Sequence, residues 1–172
     1  MSSSTLATPV DAGAFVPARY EDSPAKVLAG LSRRYTLETR TEIPDLWGRF
    51  VPDVEHIPNA VDGHVFYGLV TNTPDGEGFD YMAAVAVSDA AAAAGLPAGF
   101  TTYHVPAQRY AVFPHEGTLA SLCETIDGVF NRWLPASGHA LTNTPTYFER
   151  YGENFDPVAG RGDLEIWVPI TD

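Results

Sequence analysis

The chain has 172 residues, 45% hydrophobic and 19% charged, with 22 acidic against 10 basic side chains and a net charge of −12. This size and balance predict one globular domain with a substantial core and argue against wholesale disorder. The acidic balance argues against nucleic-acid binding through a basic surface, and the single cysteine, Cys123, excludes an intramolecular disulfide and a zinc-thiolate cluster. Cys123 falls among apolar residues in "LASLCETIDGVF", which predicts a packing role. The N-terminus has no basic segment and no long apolar core, so it does not read as a signal peptide. With no apolar run long enough to span a bilayer, a cytoplasmic protein without membrane contact is the default expectation.

Residues 1–20, rich in Ser, Ala and Pro, read as a loose arm or extra edge segment ahead of a domain over 21–172. A strand is expected at about 27–37. "TEIPDLWGRF" follows with helical spacing of Ile43, Leu46, Trp47 and Phe50, Thr41 as a cap, and Pro44 in the first turn. "HVFYGLVTN" and "FDYMAAVAVSD", joined by turn-rich "TPDGEG", predict a hairpin, and the alanine run after it a linker or short helical turn. "FTTYHVPAQRYAVFPHEG" gives one or two strands broken at Pro106. "TLASLCETIDGVFNRWLPASG" is the clearest helix, with Leu119, Leu122, Ile126, Val129, Phe130 and Trp133 on one stripe and Thr118 as a cap. A second hairpin, "TPTYFERYGENF" with "DLEIWVPI", closes the chain.

Strand, helix, strand, strand therefore occurs twice, and "LWGRF" in the first helix parallels "VFNRW" in the second, as Tyr67 parallels Tyr147. The predicted fold class is α+β: duplicated βαββ units about a pseudo-two-fold, an antiparallel sheet with two main helices, and a central cleft as the natural ligand site.

The chemistry centres on residues 146–155. In a strand, Tyr147, Glu149 and Tyr151 share one face, which sets a carboxylate between rings. Burial there raises a carboxyl pKa and a bound cation lowers it, so the group suits an acid, a base or a counter-ion. The competing reading is a solvated Glu149 paired with Arg150. Leu164, Ile166, Val168 and Ile170 form the core face of the last strand, with Glu165 and Trp167 opposite. The five histidines, including His64 and His115, show no metal-ligand spacing, and no nucleophile elbow or phosphate loop occurs, so neither a metal nor a cofactor is expected.

"RYAVFPHEG", "FNRWLPASG", "TYFERYGENF" and "DLEIWVPI", in that order, resemble the GyrI-like small-molecule-binding domain, the effector module of certain AraC-type and MerR-type multidrug-responsive regulators. The resemblance covers residues 20–172 and implies a duplicated βαββ fold. It implies that Glu149 is the central pocket acid, facing lipophilic cations, and that the last strand adds Glu165 with Trp167. Trp47, Tyr67, Tyr110, Trp133, Tyr147 and Trp167 are the rings it would place near the pocket. The regulators carry a DNA-binding domain ahead of this module. About 20 residues precede the first strand here, so a stand-alone member without direct nucleic-acid binding is expected. The leading expectation is a binder of lipophilic, cationic or aromatic small molecules for sensing or sequestration of toxic compounds. The alternatives are a hydrolase of cyclopropane-containing natural products using Glu149 as acid or base, and a protein-interaction module acting on DNA gyrase.

Overall fold

The computed structural model describes residues 16–57, 60, 65–72, 76–88, 96–142, 145–156 and 158–171. Most of the expected N-terminal arm, His64, part of the first hairpin turn and the alanine run at 91–94 lie outside them. Among the described residues nine strands form one sheet: β1 (Arg19–Ser23), β2 (Lys26–Tyr35), β3 (Phe66–Asn72), β4 (Phe79–Val87), β5 (Thr101–Val105), β6 (Gln108–His115), β7 (Ala140–Leu141), β8 (Tyr147–Tyr151) and β9 (Leu164–Thr171). Helix α1 (Ile43–Phe50) separates β2 from β3. Helix α2 (Leu122–Gly128) runs on through a π-helical turn at Val129–Trp133 into the short α3 (Leu134–Ser137). None of the described helices is long and apolar enough to cross a membrane.

The strand order is β1-β6-β9-β8-β3-β4-β2-β5, with β7 added to β9, and every pairing is antiparallel. The units β2-α1-β3-β4 and β6-α2-β8-β9 occupy matching halves and meet where β3 pairs β8. The expected α+β duplication is therefore present, and Gly68 opposite Glu149 is the middle pair of the central β3–β8 ladder. β1 precedes the first unit but pairs with β6 of the second, while β5 precedes the second and pairs with β2 of the first.

Those outer strands force the sheet to curl. Only Pro24 and Ala25 join β1 to β2, and only Pro106 and Ala107 join β5 to β6. Such a link reaches about 11 Å. On a flat sheet β1 and β2 would stand six strand spacings apart, about 29 Å. The sheet closes toward itself, and among the described residues its inner face is filled by strand residues and the adjoining Val65, among them Leu28, Tyr67, Leu69, Tyr110, Phe148 and Trp167. The outer face carries the helices: Leu46 and Phe50 of α1 against β2 and β4, and Leu122, Val129 and Trp133 against β6 and β9.

Some local expectations need correction. Thr41 lies inside a 3-10 turn (Arg40–Glu42) and does not cap α1, and Thr118 makes no side-chain cap bond either. Leu119 is exposed in its own 3-10 turn, off the apolar stripe. Cys123, one step past Leu122 on α2, is exposed as well. Tyr67 and Tyr147 do not correspond, since Tyr67 faces inward and Tyr147 packs on the helix side. Phe66 and Tyr147 are the pair related about Gly68 and Glu149.

Gly30 sits where β2 passes β4; a Cβ there would lie 1.8 Å from the Ala83 carbonyl oxygen. Gly30→Ala is expected to lower stability by about 1–3 kcal/mol or more, because backbone rather than a flexible side chain must move. Denaturant midpoints check this; an unchanged midpoint would mean that the ladder spreads freely.

Candidate functional site

Strand alternation sets Tyr147, Glu149 and Tyr151 on the helix-covered face, as the sequence implies. Glu149 is only 5% exposed. Its Oε1 accepts hydrogen bonds from the Tyr81 hydroxyl at 2.8 Å and the Tyr151 hydroxyl at 2.7 Å. Trp47 Nε1 donates in turn to the Tyr81 hydroxyl at 3.1 Å. Among the described residues no donor reaches Oε2. Arg150 points to the other face, toward Glu165, so the solvated Glu149–Arg150 pair is not formed.

Gly68 makes room for this arrangement. A Cβ at that position would stand 2.2 Å from the Tyr81 hydroxyl and 2.7 Å from Glu149 Oε1. The central ladder thus has a carboxylate on one strand and no side chain opposite. Burial raises the Glu149 pKa above its ordinary value, and the two tyrosine hydroxyls only partly offset this. Burial, followed by the Glu149 charge, pushes Tyr81, Tyr147 and Tyr151 well up, so all three stay protonated and the two that bond Glu149 donate.

Rings enclose the carboxylate. Trp47 lies 5.5 Å from Tyr151 and 6.4 Å from Tyr81 and Phe66, all edge to face. Tyr151 packs on Phe155 at 4.9 Å. Tyr147 meets Phe130, which stands in the π-helical turn, at 5.2 Å. Trp47, Phe66 and Tyr147 pack against both helix-side cores, so the carboxylate lies at their seam.

The other sequence-predicted residues are distributed elsewhere. Trp133 is in the second helix-side core, against Phe113 and stacked on His139. Tyr67, Tyr110 and Trp167 are on the inner face, behind the sheet from Glu149. Glu165 belongs to that side, bonded by Trp167 Nε1 at 2.9 Å and paired with Arg19 at 3.0 Å. Burial alone would raise the Glu165 pKa, but Arg19, Trp167 and Arg150 together hold it below the usual carboxylate range. Of the predicted set, the structure therefore brings together Glu149, Tyr147 and Trp47. A cavity of about 340 Å³ lies at another place, beside Phe113, His115, Ser121 and Thr125.

Sequence reasoning missed Tyr81, Gly68, Phe66 and Phe130 and did not assign Tyr151 to the site. The parallel of "LWGRF" with "VFNRW" aligns Phe130 with Trp47 and is a usable signal for it. Tyr81 and Gly68 become legible only with the strand register, which sets Val70 beside Tyr81 and Gly68 beside Glu149.

The duplicated βαββ sheet is that of a GyrI-like effector-binding domain. The chain belongs to the family described as integron-associated effector binding protein, whose model matches residues 19–170. The transcriptional regulator BrlR of Pseudomonas aeruginosa is 32% identical over 129 residues, 74% of this chain and 46% of BrlR. The probable transcriptional regulator YgiV of Escherichia coli is 32% identical over 63 residues, 37% of this chain and 39% of YgiV. The matched regions thus span less than half the length of either regulator. Among solved structures, SAV2435 bound to tetraphenylphosphonium shares the fold at a TM-score of 0.70 and 19% identity, over 89% of this chain and 93% of that one. The C-terminal domain of EcmrR shares it at 0.60 and 16% identity, over 90% and 96%.

A carboxyl group whose pKa is raised on folding favours the fold at low pH and loses that contribution as pH rises from its ordinary 4.5 through the folded value. Glu149→Gln keeps an oxygen to accept both tyrosine bonds but deletes the charge. The unliganded variant is expected to melt above the wild type at neutral pH, with the difference closing below pH 4.5. Melting curves across pH check this; a difference independent of pH would mean that the Glu149 charge is not disfavoured by burial.

Proposed function

We propose that this domain, taken as residues 21–172, binds lipophilic organic cations between α1 and the second helical segment, at Glu149. The observation that carries the reading is a carboxylate buried among rings, bonded by two tyrosine hydroxyls through one oxygen, with the other oxygen given no donor by the described residues. Such a group gains most from a partner that brings positive charge without its own water. An aromatic cation supplies this, and each ring face it meets adds about 0.5–2 kcal/mol. Family membership and the tetraphenylphosphonium held by SAV2435 support the ligand class. Trp47, Tyr147 and Tyr151 wall the seam, with Trp47 and Tyr147 only partly buried.

The role that follows is sensing or sequestration of toxic compounds in the cytoplasm, without direct contact to duplex DNA. The raised carboxyl pKa of Glu149 also favours a second reading, a hydrolase in which it serves as proton donor to an electrophilic substrate.

Calorimetric titration with tetraphenylphosphonium and with neutral triphenylphosphine oxide tests both readings. Glu149→Gln is expected to weaken the cation by about 10- to 100-fold, or 1–3 kcal/mol, and to leave the neutral compound nearly unchanged. Equal weakening of both, or no binding of the cation by the wild type, would overturn the cation reading. A turnover assay on an electrophilic cyclopropane reads the hydrolase: turnover lost in Glu149→Gln by roughly 100-fold supports it, and no turnover in the wild type removes it.

A further inference from the structure

Lys26 is the only lysine in the chain, against nine arginines. It opens β2 at the curled corner of the sheet, on the face opposite Glu149. Its Nζ lies 5.3 Å from the ring centroid of Phe148 and 5.8 Å from those of Tyr67, Tyr110 and Trp167. Four rings from β3, β6, β8 and β9 thus form a packed cluster capped by one ammonium at the distance at which ring faces attract cations, and the Arg19 guanidinium lies 5.6 Å from the Trp167 ring as well.

The polar surroundings of Lys26 are sparse. The ammonium donates to Ser23 Oγ at 3.1 Å, and among the described residues no carboxylate is within ion-pair distance of it. Glu21, the acid whose charge acts on it, is paired with Arg19, and Glu165 on the same face is taken by Arg19 at 3.0 Å and approached by Arg150 at 3.9 Å. Burial and the Arg150 charge lower the Lys26 pKa, with Glu21 opposing. The rings are therefore the principal stabilisers of the charge. A flexible four-carbon stem carries it, so the head can leave without unfolding β2. The rings themselves are held independently: Tyr110, Phe148 and Trp167 pack on one another at 5.3–5.5 Å, Tyr67 packs on Phe148 at 5.4 Å, and Trp167 is anchored by Glu165. The box is thus preformed by strand packing rather than built around the lysine.

We infer that this four-ring box on the inner face is a second ligand site, specific for a small alkylammonium group, which Lys26 occupies and closes until a ligand displaces it. It differs from the Glu149 site in face, in residues and in ligand: it takes a compact ammonium head through ring faces alone, without a carboxylate. The intramolecular lysine competes with any ligand, so removing it exposes the affinity of the box.

The probe is tetramethylammonium, with neutral 3,3-dimethylbutan-1-ol as its uncharged counterpart. Lys26→Ala, its fold checked by circular dichroism, is expected to bind tetramethylammonium at least tenfold tighter than the wild type in calorimetric titration. The affinity should be the same when Glu149→Gln is added, and the alcohol should not bind. In the wild type, a sample labelled with ¹³C-lysine has Lys26 as its one labelled residue. Its ε-CH₂ signal is expected upfield of free lysine through ring currents, and to move toward the free position as tetramethylammonium is added. No binding by the folded Lys26→Ala variant, equal affinity in variant and wild type, equal uptake of the alcohol, or loss of binding with Glu149→Gln would each overturn the site. If Lys26→Ala does not fold, the wild-type signal decides: displacement supports the proposal, and a signal that stays in place throughout the titration overturns it.

Discussion

Two links of two residues hold the architecture in its shape. Pro24 with Ala25 and Pro106 with Ala107 each tie strands that sit at opposite ends of the order, and no flat sheet can satisfy them. Proline stiffens each link by fixing one backbone angle, so slack cannot substitute for curvature. The curl then divides the molecule into an inner face that none of the described helices joins and an outer face on which the helices pack. Which side chains meet, and on which side, follows from that division. Consecutive residues 148 and 149 illustrate it: Phe148 joins the inner rings, while Glu149 points to the helices.

The duplication supplies a scaffold, and a break in the duplication supplies the chemistry. At the centre of the β3–β8 ladder the related positions are Gly68 and Glu149. A second carboxylate there would repel the first at close range, and even a methyl group would strike Tyr81 and Glu149. One half therefore contributes the charge and the other contributes space. Tyr81, which fills part of that space, donates to the carboxylate and receives the Trp47 N–H, so one hydrogen-bonded chain ties α1 to both halves of the sheet. Buried charge held by neutral donors is an expensive arrangement, and on that cost the proposed cation binding rests.

Much of this was legible in the residues. The element order, the hairpins, the helical stripes with Leu46 and Phe50 or Val129 and Trp133, and the placement of Glu149 between Tyr147 and Tyr151 all follow from periodicity. What periodicity lacks is register and curvature. It cannot say that Tyr81 reaches Glu149 from a strand 68 residues earlier, nor that Tyr110 and Trp167 share a face turned away from it. Leu119 shows the same limit at a helix start, where a 3-10 turn sets it off the apolar stripe, and Cys123 beside Leu122 is exposed. The curvature did leave a trace: a Pro-Ala pair stands just before both β2 and β6, and it reveals the crossed outer strands only once the sheet order is known.

The two sides of Glu149 are held unequally. β8 is hydrogen-bonded to β3 on one edge and β9 on the other, so Glu149 is fixed by ladders that would all have to break together. Helix α1 spans eight residues, has no side-chain cap, and is held to the sheet chiefly by Leu46, Phe50 and Trp47. An isolated helix of that length has little stability of its own, so its position depends on those contacts. Trp47 is the one among them that also bonds the Tyr81–Glu149 chain. In the proposed cation reading, the strand that carries Glu149 is therefore the fixed wall, and α1 with Trp47 is the side that gives way.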